Sequence, residues 1–342
     1  METLLITGGA GFIGSNFVNY MFQKYPQYHF IVLDALTYAG NPDNFSSLVK
    51  NDKRFEFWYG DVKNAEIVNA LVERANYVIH FAAETHVARS IFDNKIFYET
   101  DVIGTQTICN AILKNYKKIR KFIHISTSEV YGTALQAPMT EQHPLNPCSP
   151  YASAKAGADR LVYSYWRTYD IPAIIIRPFN NYGSHQHLEK LIPRFITSAI
   201  LNAPLTIHGD GQASRDWIYV LDHCRALEAV LQSEKNDLFG QAINIATGID
   251  ISVNTIAEKI LERLNKPKKL IQHTFNRPGQ VERHIGSNQL AQSLLNWQPE
   301  TAFDTGLEQT INWYVNNQRW WEPLLWMRQI PIKVKEGKIV MH

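Results

Sequence analysis

The chain has 342 residues, 45% of them apolar, and a formal net charge of +2 with no long basic or acidic run. That is enough for one large or two ordinary domains with a substantial core, and it excludes wholesale disorder. It argues against an electrostatic nucleic-acid or membrane surface, and no stretch reaches the roughly 18 uninterrupted apolar residues of a membrane span.

The chain opens on an apolar run, Leu4-Leu5-Ile6, followed by Thr7-Gly8-Gly9-Ala10-Gly11-Phe12-Ile13-Gly14, with Phe17, Val18 and Met21 next at helical spacing. This reads as strand, glycine turn, helix. Gly8 is expected to make the tight turn, Gly11 to let a pyrophosphate approach the backbone, and Gly14 to let the helix pack close to the sheet. The phosphate charge then meets free amides at a helix N-terminus. A second apolar strand, Phe30 to Leu33, ends in Asp34, about 20 residues past the last glycine, where the adenosine ribose hydroxyls are expected. A glycine triplet alone also fits a plain βα turn; strand, spacing and acid together favour a dinucleotide. The acid disfavours a 2′-phosphate, so the reading is NAD rather than NADP. The first residues run straight into this turn, so no signal peptide is expected. Cys109, Cys148 and Cys224 form no metal spacing and no disulfide framework, which points to a reducing cytoplasm.

Strand-like and helix-like runs then alternate. Phe55–Tyr59, Tyr77–Phe81, Phe122–Ile125 and Ala173–Ile176 read as strands; Ile67–Val72, Phe97–Leu113 and Tyr151–Tyr169 read as helices. The alternation predicts an α/β fold: a Rossmann-type, doubly wound parallel sheet, with ligands beyond the carboxyl ends of its strands. Asp34, Asp61, Ala82, Thr127 and Arg177 fall at those ends. After Arg177 the loops lengthen, with a helix at Pro193–Leu201, a strand at Leu205–His208 and amphipathic helices at Val253–Leu264 and Phe303–Val315. The expected division is a dinucleotide-binding domain at 1–178, with a strand at 242–246 returning to it, a smaller mixed α/β substrate domain at 179–330 and a tail at 331–342. Trp320, Trp321 and Trp326 read as packing residues. His185 and His187 alternate rather than sharing a helix face, and no metal site is expected.

Tyr151 and Lys155 lie one turn apart on a predicted helix. Alone, such a pair is more often a solvated one. Downstream of a dinucleotide turn and the strand end Ser126-Thr127-Ser128-Glu129, it reads as a base and its supporting ammonium. A tyrosine near pKa ~10 needs help to act at neutral pH, and a lysine and a nicotinamide cation both favour the phenolate. Arg215 and Arg277 suit a diphosphate, which guanidinium chelates.

Together the Thr7–Gly14 turn, Thr127 and Tyr151/Lys155 resemble the extended short-chain dehydrogenases/reductases. The resemblance narrows to nucleotide-sugar 4,6-dehydratases, best of all those acting on dTDP-glucose. It rests on Leu33–Asn41, Phe81–Val87, Asn180–Gly183, Glu189–Pro193, Gly209–Gly211, Arg215–Trp217 and Asp222–His223, and spans Leu4 to about Leu324. It implies cofactor contacts from Gly8, Gly11, Phe12, Ile13, Gly14, Asp34, Ala35, Leu36, Thr37, Asp61, Val62, Phe81, Ala82, Ala83, Thr100, Tyr151, Lys155 and Asn181. It implies substrate contacts from Thr85, Thr127, Asn180, Lys190, Leu191, Ile207, His208, Arg215, Asn244 and Arg277. The substrate is then a nucleotide-diphosphate sugar, a dTDP- or UDP-hexose. Tyr151 deprotonates the 4-hydroxyl while hydride leaves C4, Thr127 hydrogen-bonds that oxygen, and Glu129 takes the C5 proton before the C6 hydroxyl departs. The family also pairs the helices at 97–113 and 151–169 across a two-fold, so a homodimer is expected.

Three positions depart from the family pattern. Ser128 stands where an aspartate serves as general acid for the departing hydroxyl. Ala88 replaces an aspartate, and Gln280 replaces a histidine at the nucleotide. Thr-Ser-Glu does occur in GDP-mannose 4,6-dehydratases and UDP-glucuronate decarboxylases, and Glu129 can return the C5 proton to the leaving group with Ser128 or a water assisting. The competing readings are a 4-epimerase, which needs no C5 base, a UDP-glucuronate decarboxylase, and a non-catalytic dinucleotide sensor.

Overall fold

Alternate residues of the central strands feed two separate cores, which is why those strands are apolar almost throughout. In the computed structural model, which describes residues 1–274 and 281–328 and the backbone of short strands at 331–333 and 339–341, seven parallel strands form one sheet. They are β1 (Glu2–Thr7), β2 (Tyr28–Asp34), β3 (Phe55–Tyr59), β4 (Tyr77–His80), β5 (Lys121–Ile125), β6 (Ala173–Pro178) and a late strand at Ala242–Ile245 that pairs with β6 at the sheet edge. The order is late strand-β6-β5-β4-β1-β2-β3, so the direction of winding reverses between β1 and β4. That reversal opens the crevice in which open α/β sheets bind ligands.

Leu4, Ile6, Phe30, Val32, Ile123 and Ile174 face helices Phe12–Lys24 and Val220–Gln232. Leu5, Ile31, Leu33, Phe122 and Ile175 face helices Ala65–Arg74, Thr105–Lys114 and Pro150–Tyr169. All are essentially unexposed, and each such side chain contributes about 1.5–3 kcal/mol of burial.

Two local features position the chemistry. Helix Pro150–Tyr169 starts at a fixed residue, because the Ser149 hydroxyl accepts from Ala152 N at 3.1 Å and Pro150 occupies the first turn, where it needs no donor. The expected single helix at 97–113 is instead interrupted: Lys95–Phe97 is α-helical, Tyr98–Gly104 forms a π segment, and Thr105–Lys114 is α-helical again. The Thr105 hydroxyl bonds back to Asp101 O at 2.5 Å, and a side chain at Gly104 would sit 2.6 Å from Val62. The wider turn carries Thr100 and Asp101 towards the sheet crevice, a common use of π segments.

The later residues build a separate core from Tyr182, Ile192, Phe195, Ile207, Trp217, Ile256, Leu307 and Trp321. Its strands are β7 (Asn180–Tyr182), β8 (Leu205–His208), β9 (Ser214–Tyr219), β11 (Asp250–Ser252), β12 (Ile271–Thr274) and β13 (Arg283–His284); the late strand of the main sheet, Ala242–Ile245, is β10. β9 pairs with β7, β11 and β13, while β8 pairs with β12. Trp321 is buried with its indole donating to Tyr314 O, Trp320 donates to Asn44 Oδ1 at 2.9 Å, and Trp326 is exposed.

Candidate active site

A cavity of about 440 Å³ runs from the glycine turn, past the ends of β4 and β5, to the β8–β9 region. Its first end is made of backbone. Gly8 has φ +68°, and a side chain there would sit 2.5 Å from Ala82 N; one at Gly14 would sit 2.5 Å from Gly8 O. A side chain at Gly11 would meet only Gly8 O, at 3.3 Å, so the surrounding space is open to a ligand. No side chain caps the helix beginning at Phe12. The Asp34 carboxylate, nearly buried, accepts from Ala10 N at 2.9 Å and Leu36 N at 2.8 Å. Burial pushes its pKa up and those two amides pull it down. Two bonds leave lone pairs for ribose hydroxyls. The residues fit a dinucleotide.

Of the expected cofactor contacts, Gly8, Gly11, Phe12, Ile13, Gly14, Asp34, Ala35, Thr37, Asp61, Val62, Phe81, Ala82, Ala83, Thr100, Tyr151, Lys155 and Asn181 line this cavity. Leu36 does not. Its backbone, at φ +48°, is committed to holding Asp34, and its side chain packs against the sheet core.

The middle of the cavity is made of side chains that are buried, apart from the half-buried Glu129. Thr127, Ser128, Glu129, Tyr151 and Lys155 line it together. Thr127 caps the short turn Ser128–Tyr131, its hydroxyl accepting from Glu129 N at 3.2 Å. Lys155 Nζ donates to Ile125 O at 2.7 Å. Burial lowers the Lys155 pKa, against the charges of Asp101 and Asp159. Burial drives the Tyr151 phenol upward, the charges of Asp101 and Glu129 push it further, and the Thr127 hydrogen bond alone pulls it down. Lys155 lies near enough to Asp101 for each to act on the other's charge. That carboxyl was not singled out from sequence. It is 1% exposed, accepts from Glu84 N at 2.8 Å, has no partner for Oδ2 among the described residues, and is pushed by burial up to about 7. The same region holds a hydroxyl–imidazole chain: Thr7 Oγ1 lies 2.6 Å from His80 Nδ1, and His80 Nε2 lies 3.0 Å from Thr105 Oγ1.

At the far end, Thr85, Asn180, Lys190, Leu191, Ile207, His208 and Arg215 line the cavity. Lys190 Nζ donates to Thr85 O at 2.8 Å, and Asn181 is held by His223 at 3.0 Å. Asn244 does not reach the cavity. It is fully buried on β10, accepting from Tyr131 OH at 2.8 Å and donating to Met139 O at 3.1 Å. Arg177 is likewise structural, clamping Asp159 through two bonds of 2.8 and 2.9 Å. Arg277 and Gln280 lie outside the described residues. Ala88 is buried, and the adjacent Arg89 reaches Glu189 at 3.0 Å while stacking on Tyr38. Arg194, unforeseen, also lines this end. Its signal was available: it lies one helical turn beyond Lys190. No group of three or more His, Cys, Asp or Glu side chains among the described residues is arranged to hold a metal. No helix among them is long and apolar enough to cross a membrane.

A doubly wound sheet, a glycine turn and a Thr/Tyr/Lys cluster in one crevice define a Rossmann-type nucleotide-dependent enzyme scaffold. Residues 5–310 match the GDP-mannose 4,6 dehydratase family, and the chain belongs to it. The chain is 42% identical over 314 residues to the low-salt glycan biosynthesis protein Agl12 of Haloferax volcanii, covering 92% of this chain and 99% of that one. It is 38% identical to a dTDP-glucose 4,6-dehydratase of Mycobacterium tuberculosis, covering 94% and 96%. The crystal structure of the dTDP-glucose 4,6-dehydratase DesIV from Streptomyces venezuelae, with NAD bound, superimposes with a TM-score of 0.89 at 38% identity, covering 94% of this chain and 99% of that one.

Proposed function

We propose that this chain is an NAD-dependent hydro-lyase that converts an NDP-hexose, dTDP-glucose foremost, into its 4-keto-6-deoxy derivative. The observation that carries this reading is Glu129. It lines the same stretch of cavity as Tyr151, close enough for its charge to act on the phenol. A carboxylate beside the hydroxyl base supplies the second proton acceptor that dehydration needs and epimerisation does not.

The Gly11 turn and Asp34 would hold NAD, which when bound would supply the hydride acceptor for C4 and the hydride donor for C6. Tyr151 takes the proton of the 4-hydroxyl, and Thr127 hydrogen-bonds that oxygen. Burial and the charges of Asp101 and Glu129 hold the phenol protonated, so the positive charge of a bound nicotinamide would favour its release of the proton. The C4 ketone acidifies C5, and Glu129 takes the C5 proton. Glu129 then gives this proton to the C6 oxygen through Ser128, so the hydroxyl leaves as water. C5 later regains one proton, matching the one Tyr151 took from O4. Lys155 holds the nicotinamide ribose. Arg215, Arg194 and Lys190 are the cations of the diphosphate end, and Arg277 joins them by family position.

The test is product mass from purified enzyme with dTDP-glucose and UDP-glucose. Loss of about 18 mass units identifies dehydration; turnover at unchanged mass refutes it in favour of epimerisation. We further propose a two-domain division near residue 178, a cytoplasmic location in keeping with three free cysteines, and a homodimer through helices 95–114 and 150–169. Ile96, Tyr98, Ile103, Tyr163 and Tyr169 are exposed there. Sedimentation showing only monomer at micromolar concentration would refute the dimer.

A further inference from the structure

Ser128 stands where an acid is wanted, and a serine hydroxyl is no acid at neutral pH. Its surroundings show how it can still pass a proton. His284, the last residue of β13, lies 156 positions away in sequence, yet its Nδ1 is 3.5 Å from Ser128 Oγ. Apo geometries of this kind are often long and tighten in the complex. His284 is unexposed, stacks beside Phe179 at 5.2 Å, and does not line the cavity, whereas Ser128 does.

The imidazole's tautomer follows from its partners. Nε2 is buried with no hydrogen-bond partner among the described residues. A bare ring nitrogen tolerates that better than an N–H, since orphaned buried donors are the rarer and costlier case. The proton therefore sits on Nδ1, beside the Ser128 hydroxyl and within reach of the Ser128 carbonyl. Burial pushes the ring down to about 4; Glu129 and the Ser128 carbonyl oppose this, while Arg215 and His143 reinforce it. The ring is neutral at working pH.

We propose that His284 is a positioning residue for the dehydration: its Nδ1–H donates to Ser128 Oγ and so turns the Ser128 O–H into the cavity as a relay between Glu129 and the leaving hydroxyl. This rests on the dehydratase reading above. The serine oxygen then has two acceptor sites and one donor fully used. It accepts from His284 and from protonated Glu129, and it donates to the C6 oxygen. As the C6–O bond breaks, the serine proton moves to the departing oxygen and the Glu129 proton moves to Ser128 Oγ. Water leaves, Glu129 is again a carboxylate, and His284 keeps its proton throughout.

The experiment compares wild type with His284→Phe, His284→Asn and Ser128→Ala in single turnovers on dTDP-glucose, following C4 oxidation by absorbance and water loss by mass. His284→Phe keeps the ring's bulk without the N–H; His284→Asn restores a donor near the Nδ1 position. The expected result is C4 oxidation within about twofold of wild type in all three. Water loss slows roughly five- to tenfold in His284→Phe and Ser128→Ala, and returns to within about twofold in His284→Asn. Nitrogen NMR of the wild-type imidazole, with no substrate present, should show the Nδ1–H tautomer. Water loss undiminished in His284→Phe overturns the proposal. So does equal loss of oxidation and elimination without rescue by asparagine, which marks a merely structural residue. A limb near pH 6.5 in wild-type water loss that His284→Asn abolishes also overturns it, by making His284 an acid. If wild type itself releases no water, the dehydratase reading falls first and is recognised as the cause.

Discussion

The two ends of the cleft are built from different materials. At the dinucleotide end the ligand-facing groups are mostly backbone, three glycines and an uncapped helix start, with one carboxylate, Asp34, held in place by two amides. In the middle they are side chains, Glu129, Tyr151 and Lys155, with the buried Asp101 behind them; Asp101 and Lys155 act on each other's charge, and burial, Asp101 and Glu129 all raise the Tyr151 phenol. Backbone sites are fixed by chain geometry and change little with pH. Buried titratable clusters are set by neighbours, so one substitution there moves several groups.

The sharpest way to break this contrast is Glu129→Gln. It should leave C4 oxidation intact, because Thr127, Tyr151 and Lys155 remain, while water loss falls by about 10²–10⁴-fold. Reduced cofactor then accumulates without 4-keto-6-deoxy product, as read by absorbance and mass. Water released at an undiminished rate would place the base elsewhere.

A smaller effect is expected from Asp34→Asn, which keeps the shape of the backbone end but removes the charge. Titration of cofactor-free protein should show NAD affinity reduced about tenfold, on the order of 1.4 kcal/mol, with the preference over NADP narrowed and the pH dependence of turnover unmoved. An unchanged NAD/NADP ratio would contradict the role given to Asp34.

The smallest effect belongs to Asp101→Asn. Asp101 raises the Tyr151 pKa, so its removal lowers it. The reactive form is the deprotonated one, and the low-pH limb of C4 oxidation should therefore move to lower pH, by up to about one unit. A limb moved upward would mean that loss of Lys155's partner outweighs the direct effect on Tyr151. At the backbone end no substitution of comparable size should move that limb.

What could be read from the sequence follows the same division. The glycine turn, Asp34 and the Tyr151/Lys155 pair are spaced within one or two elements, and local periodicity places them. The helix at 150–169 and the strands at 205–208 and 242–245 also needed only local pattern. Arg177 and Asn244 looked equally suited to a ligand, but Asp159 and Tyr131 claim them, and nothing local announces such partners. The π segment that carries Asp101 ends at Gly104, which leaves room for Val62 from far earlier in the chain. His284 meets Ser128 only because β13 joins β9. Contacts of that kind belong to the tertiary fold, and only the structure discloses them.

The indole of Trp320 near the chain's end has a consequence for time rather than for affinity. It donates to Asn44, and Asn44 in turn donates to the carbonyl of Ala10, whose own amide holds Asp34. The helix Gln318–Trp321 is thus latched through Asn44 to the glycine turn. Swinging the substrate-binding half away breaks the first link of that latch, and loosening the turn around a seated dinucleotide breaks the second. We expect this latch to slow the release of a bound dinucleotide, so that Trp320→Phe shortens its residence in a chase experiment. An enzyme that regenerates its cofactor within each cycle gains from such slowness, since every exit would cost it a turnover.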